Sequence, residues 1–266
     1  MKQQTKTIIG AIAGDVIGSI YEWNNNKTTD FPLFTNRSRF TDDTVLTMAV
    51  TDCILNQKPF NENLAAYGRA YPNAGFGKFF KEWMYGTELQ PYGSFGNGSA
   101  MRISPVGFAF DTLEETLAVA KQAASATHNS EEGIRGAQAV GSAIFLARMG
   151  KSKADIKTYI ETTFGYNLDF TLDEIRPTYT FEVRCDGSVP QAIRAFLEST
   201  DYENAVRLAI SIGGDTDTIG CMAGGIAAAF YKDIPAEITE GVLRRLPIEF
   251  HELLEQFEEK FNTKNQ

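Results

Sequence analysis

Apolar residues recur every three or four positions along most of the chain, the spacing of helices with one buried face. Residues 7–22 open the series. They are predicted to form a helix that is apolar from Ile8 to Ile20 and interrupted by Gly10, Gly14 and Gly18 at i, i+4 and i+8. A glycine in a helix costs roughly 1 kcal/mol against alanine. Three in one stripe therefore imply a neighbour or ligand that approaches closely. Asp15 and Glu22 are seven residues apart, so a continuous helix would point both to nearly the same side. They fit a surface stripe of two acids, except that Asp15 sits among Ile12, Ala13, Val16 and Ile17.

Residues 24–40 are polar and read as a loop. Thr41-Asp42-Asp43-Thr44 then opens a predicted helix that runs to about Asn56. Thr41 suits the N-cap, and the two acids suit the positive end of the helix. Helical spacing continues at about 61–70 and 76–85. Residues 86–98 form a glycine-rich loop, and further helices are expected at 112–126, 131–149, 152–163 and 170–176. Thr178–Arg184 is the one strong strand candidate. Pro190 is expected as the first residue of a helix through Ser199. Helices at about 202–211 and 218–231 follow, then one or two terminal helices over 236–262, broken at Pro247. No repeat of fixed period and no low-complexity linker divides the sequence. These features predict one all-α domain over residues 1–266, a compact multi-helix orthogonal bundle.

Composition is ordinary for a globular protein, with 43% hydrophobic and 22% charged residues. Net charge is −9, which argues against a general nucleic-acid surface. It also means that an anionic substrate would need local cations to approach. Three scattered cysteines without CxxC spacing argue against a disulfide framework and for a reducing, cytoplasmic setting. Lys2 and Lys6 before an apolar run suggest a signal peptide, but Asp15 interrupts the run and no clean cleavage site follows. No apolar run reaches membrane-spanning length. No membrane partner is expected, and a monomer is favoured.

Candidate chemistry concentrates in Ser211-Ile-Gly-Gly-Asp-Thr-Asp-Thr-Ile-Gly220. Asp215 and Asp217 alternate with Thr216 and Thr218, a density of hard oxygen ligands suited to Mg²⁺ or Mn²⁺. The upstream Thr41–Thr44 cluster has nearly the same composition. Capping alone accounts for that cluster, yet the same geometry gathers its carboxylates and hydroxyls at a helix mouth. If the two clusters meet, four aspartates would repel one another unless cations bridged them. Two divalent ions would neutralise them formally. An EF-hand is excluded, because its fifth and twelfth positions would be Ile219 and Ile226. Two histidines are too few for a zinc hydrolase. No Gly-x-Ser-x-Gly elbow supports a serine triad. The loop Tyr92-Gly-Ser-Phe-Gly-Asn-Gly-Ser-Ala-Met-Arg102 is neither a P-loop nor a dinucleotide fingerprint. Its glycines do permit close backbone approach to a ligand. His128 stands at a helix junction, where a structural role and a ligand-binding one both fit.

Gly10-Ala-Ile-Ala-Gly-Asp15-Val-Ile-Gly-Ser-Ile-Tyr-Glu22, Phe40–Thr44, Gly93–Arg102, Thr127-His128 and Gly213–Gly220 with Met222-Ala-Gly-Gly225 together resemble the ADP-ribosylglycohydrolases. The resemblance covers most of the chain, with five motifs in the family's order. It implies an all-α fold with a central two-metal site, usually Mg²⁺ or Mn²⁺. It also implies cleavage of an ADP-ribosyl bond at the anomeric carbon of the distal ribose. Thr41, Asp42 and Asp43 would then hold metal from one side and Asp215, Asp217 and Thr218 from the other. Glu22, Asp43 and Asp217 would be the catalytic carboxylates, with Glu22 closest to the role of acid or base. Asp15, Gly93, Ser94, Phe95, Asn97, Gly98, Ser99 and His128 would contact the substrate. That substrate would be an ADP-ribosylated protein or a small ADP-ribose conjugate, with arginine as the first-choice acceptor and serine-linked ADP-ribose, O-acetyl-ADP-ribose or ADP-ribose binding without catalysis as the alternatives. Phe95 stands where some relatives have tyrosine, Ser99 where glycine is common and Cys221 where alanine is frequent.

Overall fold

The computed structural model describes residues 8–261. The chain enters through α1 (Ile9–Gly18), α2 (Asp42–Asn56), α3 (Phe60–Ala70) and α4 (Lys78–Met84). Two short helices follow the glycine-rich loop, α5 (Gly98–Met101) and α6 (Ser104–Ala109). Then come α7 (Leu113–Ser125), α8 (Glu131–Arg148), α9 (Lys153–Phe164), α10 (Leu172–Ile175) and α11 (Cys185–Glu198). The chain finishes with α12 (Tyr202–Ile210), α13 (Thr216–Tyr231), α14 (Ala236–Leu243) and α15 (Ile248–Phe261). One cluster of buried side chains runs from Ile8 to Phe257. No described helix is long and apolar enough to cross a membrane.

The α1–α13 pair forms the centre, and its small residues explain why. A Cβ at Gly14 would lie 2.0 Å from the Gly220 carbonyl oxygen. One at Gly224 would lie 2.4 Å from the Gly10 carbonyl oxygen. The backbones therefore touch along the whole glycine stripe. At its lower end a Cβ at Gly18 would lie 2.6 Å from the Asp217 Cα, so the stripe sets the height of the acidic motif. Every residue of α1 is buried. Tyr202 on α12 locks the upper end by donating to the Gly10 carbonyl at 2.7 Å.

Three local expectations are corrected. The first helix stops at Gly18 rather than continuing to residue 22. The Ser19 hydroxyl donates to the Val16 carbonyl at 2.9 Å, and turns through Tyr21 and Asn24 replace the helical ladder. Glu22 consequently sits in a turn, and the seven-residue helical relation to Asp15 does not apply. Thr178–Arg184 forms no strand. It has no neighbouring strand among the described residues, and a single antiparallel bridge joins Gly96 to Arg184. The helix expected from Pro190 begins at Cys185, with Pro190 inside it. Tertiary contacts hold that early start: the Cys185 N–H donates to the Phe95 carbonyl at 3.0 Å and the Asp186 N–H to Glu132 at 3.2 Å. Orphan N–H groups of the first turn are thus satisfied from outside the helix.

Candidate active site

The two acidic motifs arrive at one cavity from opposite elements. At the start of α2, Thr41 has extended backbone and its hydroxyl accepts from the Asp43 N–H at 3.3 Å, the geometry of an N-cap. Asp42 and Asp43 therefore occupy the first helical turn, where the helix end favours negative charge. At the start of α13, Gly213 and Gly214 take φ values of 72° and 77°, a left-handed pair that other residues adopt with strain. This turn swings the chain so that Asp215 and Asp217 face α2. The Thr216 hydroxyl anchors the turn to the Gly18 carbonyl at 2.9 Å. Thr218 then donates across the gap to the Asp43 carboxylate at 3.2 Å.

The resulting cavity has a volume of about 410 Å³. Its walls include Glu22, Thr41, Asp42, Asp43, Asp215, Asp217 and Thr218, together with Ser94, Asn97, Gly98 and His128. One carboxylate oxygen from each of Glu22, Asp215 and Asp217 lies within 4.8 Å of the other two. Glu22 thus joins Asp215 and Asp217 in one group of carboxylates that could hold a metal ion, where the sequence suggested an acid or base. Among the described residues, no lysine or arginine makes an ion pair with any of these aspartates. The Asp43 Oδ1 atom is buried without a hydrogen-bond partner.

Electrostatics report the same crowding. Burial, followed by the Asp217 charge, pushes the Asp42 and Asp43 carboxyls well above the usual range. Burial and then Asp215 do the same to Asp217. Asp215 rises less, to about 6, because burial is opposed by hydrogen bonds, one of them 2.7 Å from the Asn97 amide. Glu22 rises to about 7, chiefly by burial and then by Asp217, against a lowering contribution from Arg39. Buried like charges without a counter-cation are expensive. An orphaned carboxylate oxygen, hard oxygen donors and, among the described residues, no lysine or arginine ion-paired with the aspartates together fit divalent metal ions.

Not every candidate reaches the cavity. Asp15 is fully buried, and its two oxygens accept from the Thr41 N–H (3.0 Å), the Thr41 hydroxyl (2.8 Å), the Thr44 N–H (3.1 Å) and the Thr44 hydroxyl. Its place is a strut joining α1 to the mouth of α2, so the substrate contact expected of it does not fit. Ser99 is buried and donates to the Gly133 carbonyl at 2.7 Å, away from the ligand role expected of it. Gly93 supplies a left-handed turn with φ of 67°. Phe95 is half exposed, and the Arg184 guanidinium lies 5.0 Å over its ring.

Other lining residues escaped notice in the sequence. Trp23, directly after Glu22, is 76% exposed and stacks on Phe181 with ring centroids 5.2 Å apart. Both line the cavity, as does Arg39. Trp23 carried one signal, an aromatic beside a candidate catalytic acid. Phe181 carried none, since only the fold brings residue 181 to residue 23.

Comparison with known proteins gives concordant matches. A family profile described as ADP-ribosylglycohydrolase matches residues 4–266. The chain is 25% identical to ADP-ribosylhydrolase ARH3 of Xenopus tropicalis over 302 residues, covering 85% of this chain and 86% of that protein. It is 22% identical to ADP-ribosylarginine hydrolase Tri1 of Pseudomonas putida (strain GB-1) over 269 residues, covering 88% of this chain and 72% of that protein. A solved structure described as an ADP-ribosylglycohydrolase-related protein complex superposes with a TM-score of 0.71 at 22% identity, covering 95% of both chains. That last likeness concerns the fold.

Proposed function

Since the chain belongs to the ADP-ribosylglycohydrolase family and is a hydrolase of ADP-ribosyl bonds, we propose that it is metal-dependent and releases ADP-ribose from arginine side chains of modified proteins. The bond cut is the one at the anomeric carbon of the distal ribose, and the domain responsible spans the whole chain. One observation carries the metal dependence: Glu22, Asp42, Asp43, Asp215 and Asp217 crowd one cavity with no protein cation paired to the aspartates among the described residues. Thr41, Asp42 and Asp43 would hold one side of a two-ion site and Asp215, Asp217 and Thr218 the other, with Glu22 beside them. Bound Mg²⁺ or Mn²⁺ would supply charge neutralisation and Lewis-acid polarisation of sugar oxygens.

This chain's own groups do the rest. Asn97, on the glycine loop, orients Asp215 through its 2.7 Å hydrogen bond. The loop backbone from Ser94 to Gly98 offers close approach to the diphosphate and ribose. Glu22 is the cluster's partly buried carboxylate and lies in a turn. It moves a proton between water and the departing acceptor. The acidic lining favours a cationic acceptor, and the exposed Trp23 face is a surface on which a planar guanidinium can lie. One observation favours the alternative of an uncharged acceptor such as serine or an acetyl ester. The Arg39 guanidinium shares the cavity and would repel arginine.

Parallel incubation with arginine-, serine- and acetyl-linked ADP-ribose, with Mg²⁺ and with chelator, tests both points. Release from the arginine conjugate, abolished by chelator, is the expected result. Preference for serine or acetyl conjugates would overturn the acceptor, and turnover in chelator would overturn the metal site.

A further inference from the structure

Behind the glycine loop lies a buried hydrogen-bond chain that the acidic cluster does not involve. Arg102 at the end of α5 is fully buried and has no carboxylate partner among the described residues. Its Nη2 donates to the Ala123 carbonyl at 2.8 Å and to the Thr127 hydroxyl oxygen at 2.9 Å. The Thr127 oxygen is also 2.7 Å from His128 Nδ1. His128 in turn lines the cavity. Its Nε2 edge lies against the loop, since a Cβ at Gly98 or Gly96 would come within 3.4 or 3.5 Å of Nε2.

Hydrogen accounting fixes the direction of this chain. A guanidinium can only donate, so the Thr127 oxygen is an acceptor toward Arg102. Thr127 is fully buried, and the sole partners of its hydroxyl among the described residues are Arg102 and His128. If His128 donated from Nδ1, the Thr127 O–H would have no acceptor, and a buried donor without a partner is costly. The hydroxyl therefore donates to Nδ1, which must carry a lone pair. The Arg102 contact polarises the hydroxyl and strengthens that donation. Burial, and then the Arg102 charge, hold the imidazole well below its usual pKa, so a second proton is disfavoured.

We infer that Arg102 and Thr127 are positioning residues that lock His128 as a neutral Nε2–H donor facing the ligand. His128 then offers the substrate one N–H and no lone pair from that edge. It binds an oxygen of the ligand and does not act as a proton acceptor there, which leaves proton acceptance to carboxylate. The ligand's identity rests on the function proposed above, whereas the tautomer does not.

Two arms test the inference separately. The first is a long-range proton–nitrogen NMR spectrum of unliganded, histidine-labelled protein. The sequence has only two histidines, and H251Q identifies the other signal set. The expected result is His128 protonated at Nε2 and bare at Nδ1. A proton on Nδ1 would overturn the inference whatever the substrate proves to be. The second arm compares Thr127→Val, which removes the hydroxyl, with Thr127→Ser, which keeps it. In the valine variant His128 should lose its single-tautomer signature, and free ADP-ribose should bind about 2–10-fold more weakly, the range for one hydrogen bond. Serine should restore both. Unchanged His128 signals and unchanged affinity in T127V would refute the relay. If T127V does not fold, the spectrum of the parent protein decides. If neither parent nor variants bind ADP-ribose while the tautomer is as expected, the proposed function fails and the relay stands.

Discussion

Gly14→Ala is the sharpest probe of the α1–α13 contact on which the site depends. In an unconstrained helix this substitution stabilises by about 0.4–1 kcal/mol, through propensity and a less flexible unfolded chain. Here the added Cβ would meet the Gly220 oxygen at 2.0 Å, the Gly220 carbon at 2.3 Å and the Cys221 nitrogen at 2.7 Å. All three are backbone atoms inside a helix, so no rotamer change relieves the clash. Restoring an ordinary separation of about 3.4 Å from the 2.0 Å contact requires the helices to part by about 1.4 Å. Overpacking of this kind costs typically about 1–3 kcal/mol and sometimes more, which outweighs the propensity gain. The same displacement moves Asp215 and Asp217 relative to Asp42 and Asp43. A misplacement of about 1 Å can lower turnover about 100-fold. Urea denaturation should show a loss of at least about 1 kcal/mol, and steady-state assay a drop in kcat of one to two orders of magnitude. Gly141→Ala is the matched control on α8, because its Cβ would have nothing closer than 3.7 Å. It should be neutral or stabilising by up to about 1 kcal/mol. A G14A protein as stable and active as G141A would refute the backbone contact.

Three further outcomes follow from the acidic residues. Mg²⁺ at about 100 times its Kd should add about 2.7 kcal/mol of stability, raising Tm by about 5–10 °C for a chain of this size. Chelator should remove the gain, and Asp217→Ala or Asp43→Ala should abolish both it and turnover. Full activity in either variant would contradict a two-ion site. Glu22→Gln should lose at least about 100-fold in kcat while still binding ADP-ribose by calorimetry, and unchanged turnover would remove Glu22 from proton transfer. Asp15→Asn should destabilise by about 3 kcal/mol or more, because the amide nitrogen cannot accept from the four donors around that carboxyl. A loss of activity with no fall in urea midpoint would instead return Asp15 to the ligand.

How much of this was legible in the sequence depended on whether the cause was local. The N-cap at Thr41 needed only its neighbours, so the start of α2 could be read directly. The start of α13 at Thr216 was legible to within two residues for the same reason. The end of α1 was not. Apolar residues run on past Gly18, and only the Ser19 back-bond and the turns beyond it stop the helix. That difference sets the place of Glu22, which lies in the turns after α1, with a carboxylate oxygen near those of Asp215 and Asp217. The β-branched and aromatic residues of 178–184 gave a true local preference for extended chain, but no partner strand exists to complete a ladder among the described residues. Pro190 illustrates the converse, a helix that starts early because residues 95 and 132 accept its first N–H groups.

The same division explains why Asp15 and Glu22 differ in role although their spacing suggested that both point to one side. Both are acids in an apolar stretch, and composition cannot rank them. Asp15 is surrounded by four donors from Thr41 and Thr44, which satisfy a buried carboxylate and leave it nothing to offer a ligand. Glu22 has few such partners and instead shares its surroundings with Asp215 and Asp217, which raise rather than relieve its cost. A carboxylate whose needs are met by the fold supports the site. One whose needs are unmet awaits what the fold does not contain, and the Asp43 Oδ1 atom is in the same position. Stability is withheld where cations and substrate are to bind, so Asp43→Asn and Glu22→Gln should unfold at higher urea than the parent in chelator and at lower urea than the parent in saturating Mg²⁺. Parallel shifts in both conditions would show that these carboxylates serve the fold alone.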